Sequence, residues 1–189
     1  IMMAMTVIIK FCIFFLKKMR SSLCTVLIIL FISISPCTAA DFSTQASASL
    51  DAFLSHFWSE KDQYLLDEFN LRDAAPTKLT QYWTYVMGFD AVLDGAERNF
   101  TRFGAPWIDK FFNAQAKRGW NREYYDDMNW MGLALLRAHK IMTAQFSKPL
   151  VASKYLTQSV KLFETIAAAW DNKTCCGKTP GGIWWDTRH

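Results

Sequence analysis

Tyr124-Tyr125-Asp126-Asp127-Met128-Asn129-Trp130-Met131-Gly132-Leu133-Ala134-Leu135-Leu136 sets two adjacent acids at the head of an apolar-rich run. Acidic side chains suit the first turn of a helix, where unpaired N–H groups and the positive end of the helix dipole face them. Met128, Met131, Leu133, Leu135 and Leu136 then carry the helix from near Asp126 to about Phe146. Downstream, Pro149 starts another helix reaching Trp170, followed by a polar, Gly-containing loop and an abrupt Ile183-Trp184-Trp185-Asp186. Upstream, Pro106 suits the first turn of a helix and Gly119 its end.

Further upstream, Thr80 caps a helix expected over 81–99, with Trp83, Val86, Met87 and Leu93 as its apolar stripe. Asp90 and Asp94 lie four apart along that stripe. They read as a solvated helix edge, with an acid-lined cleft as the sharper alternative. Residues 64–80 break the periodicity and read as a connection, with a short extended piece at Tyr64-Leu65-Leu66. Over 43–60, Leu50, Phe53, Leu54, Phe57 and Trp58 recur at helical steps. Five or six helices joined by short loops, with no convincing alternating strand, make the chain all-α and its helices antiparallel neighbours.

The first forty residues stand apart. Lys17, Lys18 and Arg20 precede an uninterrupted apolar run over 23–34, and Ser35-Pro36-Cys37-Thr38-Ala39-Ala40 follows. That order describes a secretory signal peptide, with the start at Met19 and cleavage after Ala39 or Ala40. A retained signal anchor is the alternative, although each apolar stretch is short for a bilayer. Ile1 is not an ordinary initiator, so residues 1–18 read as sequence upstream of the true start, or the chain as a fragment. The expected organisation is a leader over 1–40 and a domain over 41–189, secreted to the exterior or cell wall.

Setting the leader aside removes the basic character. Lys10, Lys17, Lys18 and Arg20 are four of the 21 basic residues, and all 17 acidic ones lie at or beyond Asp41. The remaining segment is neutral, which argues against a nucleic-acid footprint. Cys12, Cys24 and Cys37 also leave with the leader. Cys175 and Cys176 remain, and each is expected to seek a distant partner, because neighbours seldom meet disulfide geometry. Two sequons, Asn99-Phe100-Thr101 and Asn172-Lys173-Thr174, fit a secreted protein. His56, His139 and His189 are isolated, with His139 read as a helix-surface residue. No metal site, phosphate loop or other cofactor is expected.

Asp126 and Asp127 admit two readings: helix capping, or a catalytic pair. Glycoside cleavage needs one carboxylate at the anomeric centre and another to protonate the leaving oxygen. Retaining enzymes hold the two about 5–5.5 Å apart, which adjacent side chains reach. Two close negative charges are unfavourable, so one of the pair tends to stay protonated. Sugar clefts also need flat apolar faces, and Trp120, Tyr124, Tyr125 and Trp130 surround the pair. Core packing is the alternative for these rings.

The segment Tyr125-Asp126-Asp127-Met128-Asn129-Trp130-Met131-Gly132-Leu133-Ala134-Leu135 resembles the Asp-Asp segment of glycoside hydrolase family 76. Gln81-Tyr82-Trp83 and Phe89-Asp90-Ala91-Val92-Leu93-Asp94 resemble its preceding helix. Gly181-Gly182-Ile183-Trp184-Trp185-Asp186 resembles its Gly-Gly-Ile-Trp-Trp segment. The three matches stand in family order over about 46–189. The resemblance implies an (α/α)6 toroid of helical hairpins, with about the N-terminal half represented here. It also implies retaining endo-α-1,6-mannanase activity, with Asp126 as nucleophile and Asp127 as general acid/base. Tyr125, Trp130, Trp184 and Trp185 become expected substrate-binding residues, and an α-mannan or mannose-containing glycan the expected partner. Transglycosylation onto cell-wall or lipid-anchored glycans and non-catalytic glycan binding are the alternatives.

Overall fold

The computed structural model describes residues 39–67, 78–146, 149–177 and 181–189. The leader expected over 1–40 falls outside the described residues, apart from Ala39 and Ala40. These open α1, Ala39–Phe57. From Ser43 onward the chain forms one compact unit.

Leu50 and Leu54 bury one face of α1, and the Phe53 and Phe57 rings stack 5.6 Å apart. The helix stops at Phe57, three residues short of the expected end. There the backbone turns into a small antiparallel hairpin, β1 (Trp58–Ser59) with β2 (Tyr64–Leu65). Burial explains the stop: the hairpin swings Trp58 against the rings of Trp107 and Phe111. Leu66 then bridges Leu79, so the expected extended piece at 64–66 is present.

Helix α2 spans Tyr82–Arg98. Its buried face holds Tyr82, Tyr85, Val86, Phe89, Val92, Leu93 and Ala96, so Val86 and Leu93 of the expected stripe turn inward while Trp83 and Met87 do not. Trp83 and Met87 are 45% and 43% exposed. Thr80 does not cap the helix; Gln81 occupies the cap position without a side-chain bond. The Thr80 amide instead donates to the Leu65 carbonyl at 2.9 Å.

A short α3, Phe100–Phe103, follows under an Asn99 side-chain cap. Helix α4, Ala105–Arg118, has Pro106 in its first turn and ends at Gly119, whose φ of 81° favours glycine. Helices α5 (Tyr125–Gln145) and α6 (Pro149–Ala168) form the main helical hairpin, and α5 also packs on α2. The expected reach of α6 to Trp170 is cut short. Trp170 pairs with Ile183 in a second two-stranded ribbon, β3 (Trp170–Asp171) with β4 (Gly182–Ile183).

The core is aromatic on one side and aliphatic on the other. Tyr64 stacks on Tyr85 with centroids 4.0 Å apart, and Phe89 stacks on Phe111. Met128, Met131, Leu135, Met142 and Leu162 fill the space between α5 and α6. The Trp58 indole N–H is buried without a partner among the described residues, but other polar groups inside the core are paired: Tyr64 donates to Gln115, which donates to the Gly119 carbonyl. Ser159 donates to the Gly132 carbonyl across the α5–α6 seam at 2.8 Å. His139, half-buried rather than on the surface, places Nδ1 3.0 Å from the Ala152 carbonyl. The carbonyl can only accept, so Nδ1 carries the proton.

Asp90 and Asp94 are not an idle solvated edge. With Glu97 they gather around Arg137 of α5, Glu97 at 2.8 Å and Asp90 at 3.6 Å, and so tie α2 to α5. No helix among the described residues is long and apolar enough to cross a membrane.

Candidate active site

Helix α5 opens on Tyr124, a residue type that offers no short side-chain oxygen to cap the first turn, and no side-chain cap is made. The cap comes from the far end of the chain. The Tyr125 amide donates to the Trp185 carbonyl at 3.1 Å, the Thr187 amide donates to the Glu123 carbonyl at 2.9 Å, and Tyr124 bridges Asp186. Residues 184–188 thus lie as a strap across the start of α5.

The strap is fastened on both sides. Before it, the Trp184 indole donates to Asp171 Oδ2 at 3.1 Å, and the Trp184 ring lies 4.8 Å from that of His189. After it, buried Asp186 accepts from the Arg188 amide and Nε, both at 3.0 Å, which holds its carboxyl below the usual range. Arg188 reaches back to Glu123.

The two glycines ahead of the strap have separate reasons. Gly181 has φ of 128°, open only to glycine at low cost. A side chain on Gly182 would run into the sulfurs of Cys175 and Cys176. Those cysteines bond to each other, which corrects the expectation of distant partners. Left-handed backbone at Cys176 and Gly177 makes a turn that brings both sulfurs over Gly182.

Asp126 and Asp127 line a cleft of about 540 Å³ at the head of α5. Asp126 is well supplied with donors. Its Oδ1 accepts from the Asp127 amide at 2.9 Å, and its Oδ2 from the Trp185 indole at 3.1 Å. Among the described residues, none donates to the Asp127 carboxyl. Burial, and after it the charge of Asp126, raises Asp127 above the ordinary aspartate range. Two neighbouring carboxyls therefore sit in unlike surroundings, one with two donors on its oxygens and one raised by burial and by its neighbour's charge.

The other sequence-expected residues divide. Trp185 lines the cleft, 65% exposed, with its ring 4.8 Å from that of Tyr124. Tyr125 packs against the core, Trp184 anchors the strap, and Trp130 lies exposed outside the cleft lining. Of the surrounding rings, Trp120 packs on Phe112.

Cleft residues not expected as site residues from the sequence include Gln81, Tyr82, Trp83, Arg122 and Glu123. Tyr82 and Trp83 come from the start of α2, and Arg122 precedes α5 with its guanidinium 4.8 Å from the Tyr82 ring. Tyr82 also donates to the Trp120 carbonyl at 3.1 Å. The available signal was Gln81-Tyr82-Trp83 itself, a motif whose Trp83 was assigned to the core stripe. Among the described residues, no group of three or more His, Cys, Asp or Glu side chains is placed to hold a metal ion.

Residues 44–189 match the family model described as glycosyl hydrolase family 76. No curated protein matches the sequence. Among solved structures, the Lin0763 protein from Listeria innocua superposes with a TM-score of 0.60 at 20% identity, over 77% of this chain and 40% of that one. The GH76A α-1,6-mannanase from Salegentibacter sp. HEL1_6 gives 0.58 at 20% identity, over 77% of this chain and 39% of its own. An inactive variant of that mannanase, with two consecutive aspartates replaced by asparagine and α-1,6-mannotriose bound, gives 0.58 at 17% identity. These likenesses concern the fold, which is all-α and of the (α/α)6 toroid kind, part of it represented here. The chain spans about 40% of the length of the solved structures it matches.

Proposed function

This chain belongs to glycosyl hydrolase family 76, and from that premise we propose that it is a retaining glycosidase acting on α-1,6-linked mannan. The observation that carries the reading is the unequal supply of hydrogen bonds to the adjacent aspartates in one cleft. Asp126, its two oxygens held by two donors, attacks the anomeric carbon. Asp127, holding a proton, delivers it to the departing glycosidic oxygen as the bond breaks. The product of this step is a glycosyl ester on Asp126 and a free sugar hydroxyl. Asp127, now ionised, takes a proton from water, whose oxygen attacks the anomeric carbon and releases Asp126. Two displacements at one carbon return its original configuration.

Trp83 and Trp185 supply exposed aromatic faces for sugar rings at the cleft. The solved α-1,6-mannotriose complex of a relative's inactive variant supports the substrate class. The test is turnover of α-1,6-mannotetraose by the chain and by Asp126→Asn and Asp127→Asn. The wild type cleaves it, and each variant loses about a hundredfold or more in kcat while keeping its circular dichroism. Undiminished turnover in either variant overturns the assignment.

One observation favours a second reading. The exposed faces of Trp83 and Trp185 at the cleft also fit a glycan-binding unit without turnover. Saturable binding of mannotetraose with no product over days would decide for it.

A further inference from the structure

We propose that Trp185 is a positioning residue for Asp126, and that the strap it belongs to, rather than helix α5, decides which of the two adjacent aspartates serves as nucleophile. The inference rests on the reading of Asp126 and Asp127 as the catalytic pair. Seen from α5 alone, the two are near equals: both lie in its first turn, and both face the positive end of the helix. The helix offers no reason for a division of labour beyond the Asp127 amide on Asp126 Oδ1. The second donor, the Trp185 indole N–H on Oδ2, comes from 59 residues away.

The indole is held for that contact. Its backbone carbonyl is tied to the Tyr125 amide, its ring rests on Tyr124, and the residues beside it are anchored through Trp184–Asp171 and Asp186–Arg188. A side chain 65% exposed to solvent would otherwise be free to rotate. A fixed N–H donating to a carboxylate stabilises the ionised form and fixes the rotamer of the attacking oxygen. Other charged or titratable groups near Asp126 are Asp127, Arg122, Glu123, Tyr124 and, from α2, Tyr82, with Asp186 and Arg188 engaged on each other in the strap. None of these side chains donates to Asp126; among the described residues Trp185 alone supplies a side-chain donor to it.

The experiment is a pH titration of the full chain by NMR without substrate, following the Trp185 indole N–H and the Asp126 carboxyl carbon. The indole signal is expected to titrate with the Asp126 midpoint and to stop doing so in Asp126→Asn. Trp185→Phe keeps the ring and removes the donor, so the Asp126 carboxyl-carbon signal is expected to shift as its rotamer is released. In turnover, kcat then falls about tenfold or more, with KM little changed. An indole signal blind to Asp126 overturns the proposal, even if Trp185→Phe proves unable to fold. So does a Trp185→Phe protein with raised KM but unaltered kcat and Asp126 signal, the pattern of a sugar platform alone. The titration needs no cleavage, so loss of the glycosidase reading and loss of this one give different results.

Discussion

Asp127 shows what a residue assigned to proton transfer costs its fold. Its carboxyl is half-buried, beside another carboxyl and without a donor, and its native pKa lies above the ordinary value. A group of that kind binds its proton more tightly in the native than in the unfolded state. Stability is therefore lost as pH rises from the unfolded value, about 3.9, through the native one, and the deficit then stays constant. Asp127→Asn removes the deficit. Its Tm should exceed the wild-type value at pH 7 by up to about 3 °C, with the gap closing near pH 3. Calorimetry at the two pH values checks this; an equal gap at both would place the effect elsewhere. Sequence made the pair legible, because two adjacent acids ahead of an apolar run are readable from spacing. The inequality between them was not legible. It comes from the burial of Asp127 and from an indole far along the chain, and Trp185 read as a sugar platform because an exposed aromatic in such a motif has that common use.

At the scale of elements, the two seams of α5 are built differently. Against α2 the seam is electrostatic, with Arg137 among three carboxylates, whereas against α6 it is close-packed around Gly132. A methyl on Gly132 would meet Ser159 Oγ at 3.8 Å and Leu162 Cβ at 3.9 Å, ordinary contact distances. Gly132→Ala should therefore stabilise the chain by about 0.5–1 kcal/mol, the usual gain within a helix. Gly104→Ala should do the reverse, by 1 kcal/mol or more on the scale of about 1–3 kcal/mol for overpacking, because the methyl would strike the Phe100 carbonyl and ring. Urea melts of the two variants give opposite signs on this account, and the same sign for both would contradict it. Helix existence and order were legible from the 3.6-residue period and from Pro106, Gly119 and Pro149. The face of α2 was not: Trp83 and Met87 are apolar and correctly spaced, yet Tyr85 and Phe89 hold the inside because they meet Phe111 and Tyr64, and Tyr82 because it bonds the Trp120 carbonyl. The ends at Phe57 and Ala168 were missed for a related reason. In both places long-range pairing of a tryptophan, Trp58 or Trp170, overrides a helical pattern that would otherwise continue.

The whole molecule carries an apolar surface in addition to its core. Leu156, Val160 and Phe163 lie along one face of α6, and Phe163 is 69% exposed. Contiguous apolar faces of this kind bind hydrophobic dyes and promote association. The isolated chain should do both, and Phe163→Glu should lower dye fluorescence at least twofold while leaving the helical circular dichroism intact, as surface changes usually do. Unchanged fluorescence would mean that the face is covered in solution. The all-α class was legible because no other period competes with the helical one. The strap was not, since a backbone bridge between Tyr124 and Asp186 leaves no trace in local pattern. That strap brings the tryptophan segment onto the aspartate pair and makes one cleft from residues at 81–83, 122–124, 126–127 and 185. The most direct test of what the cleft does is NMR observation of the sugar first released from α-1,6-mannotetraose. The account predicts a reducing end that appears in the α configuration before mutarotation, and no release by Asp126→Asn. A β-configured first product, or release that survives Asp126→Asn, would contradict it.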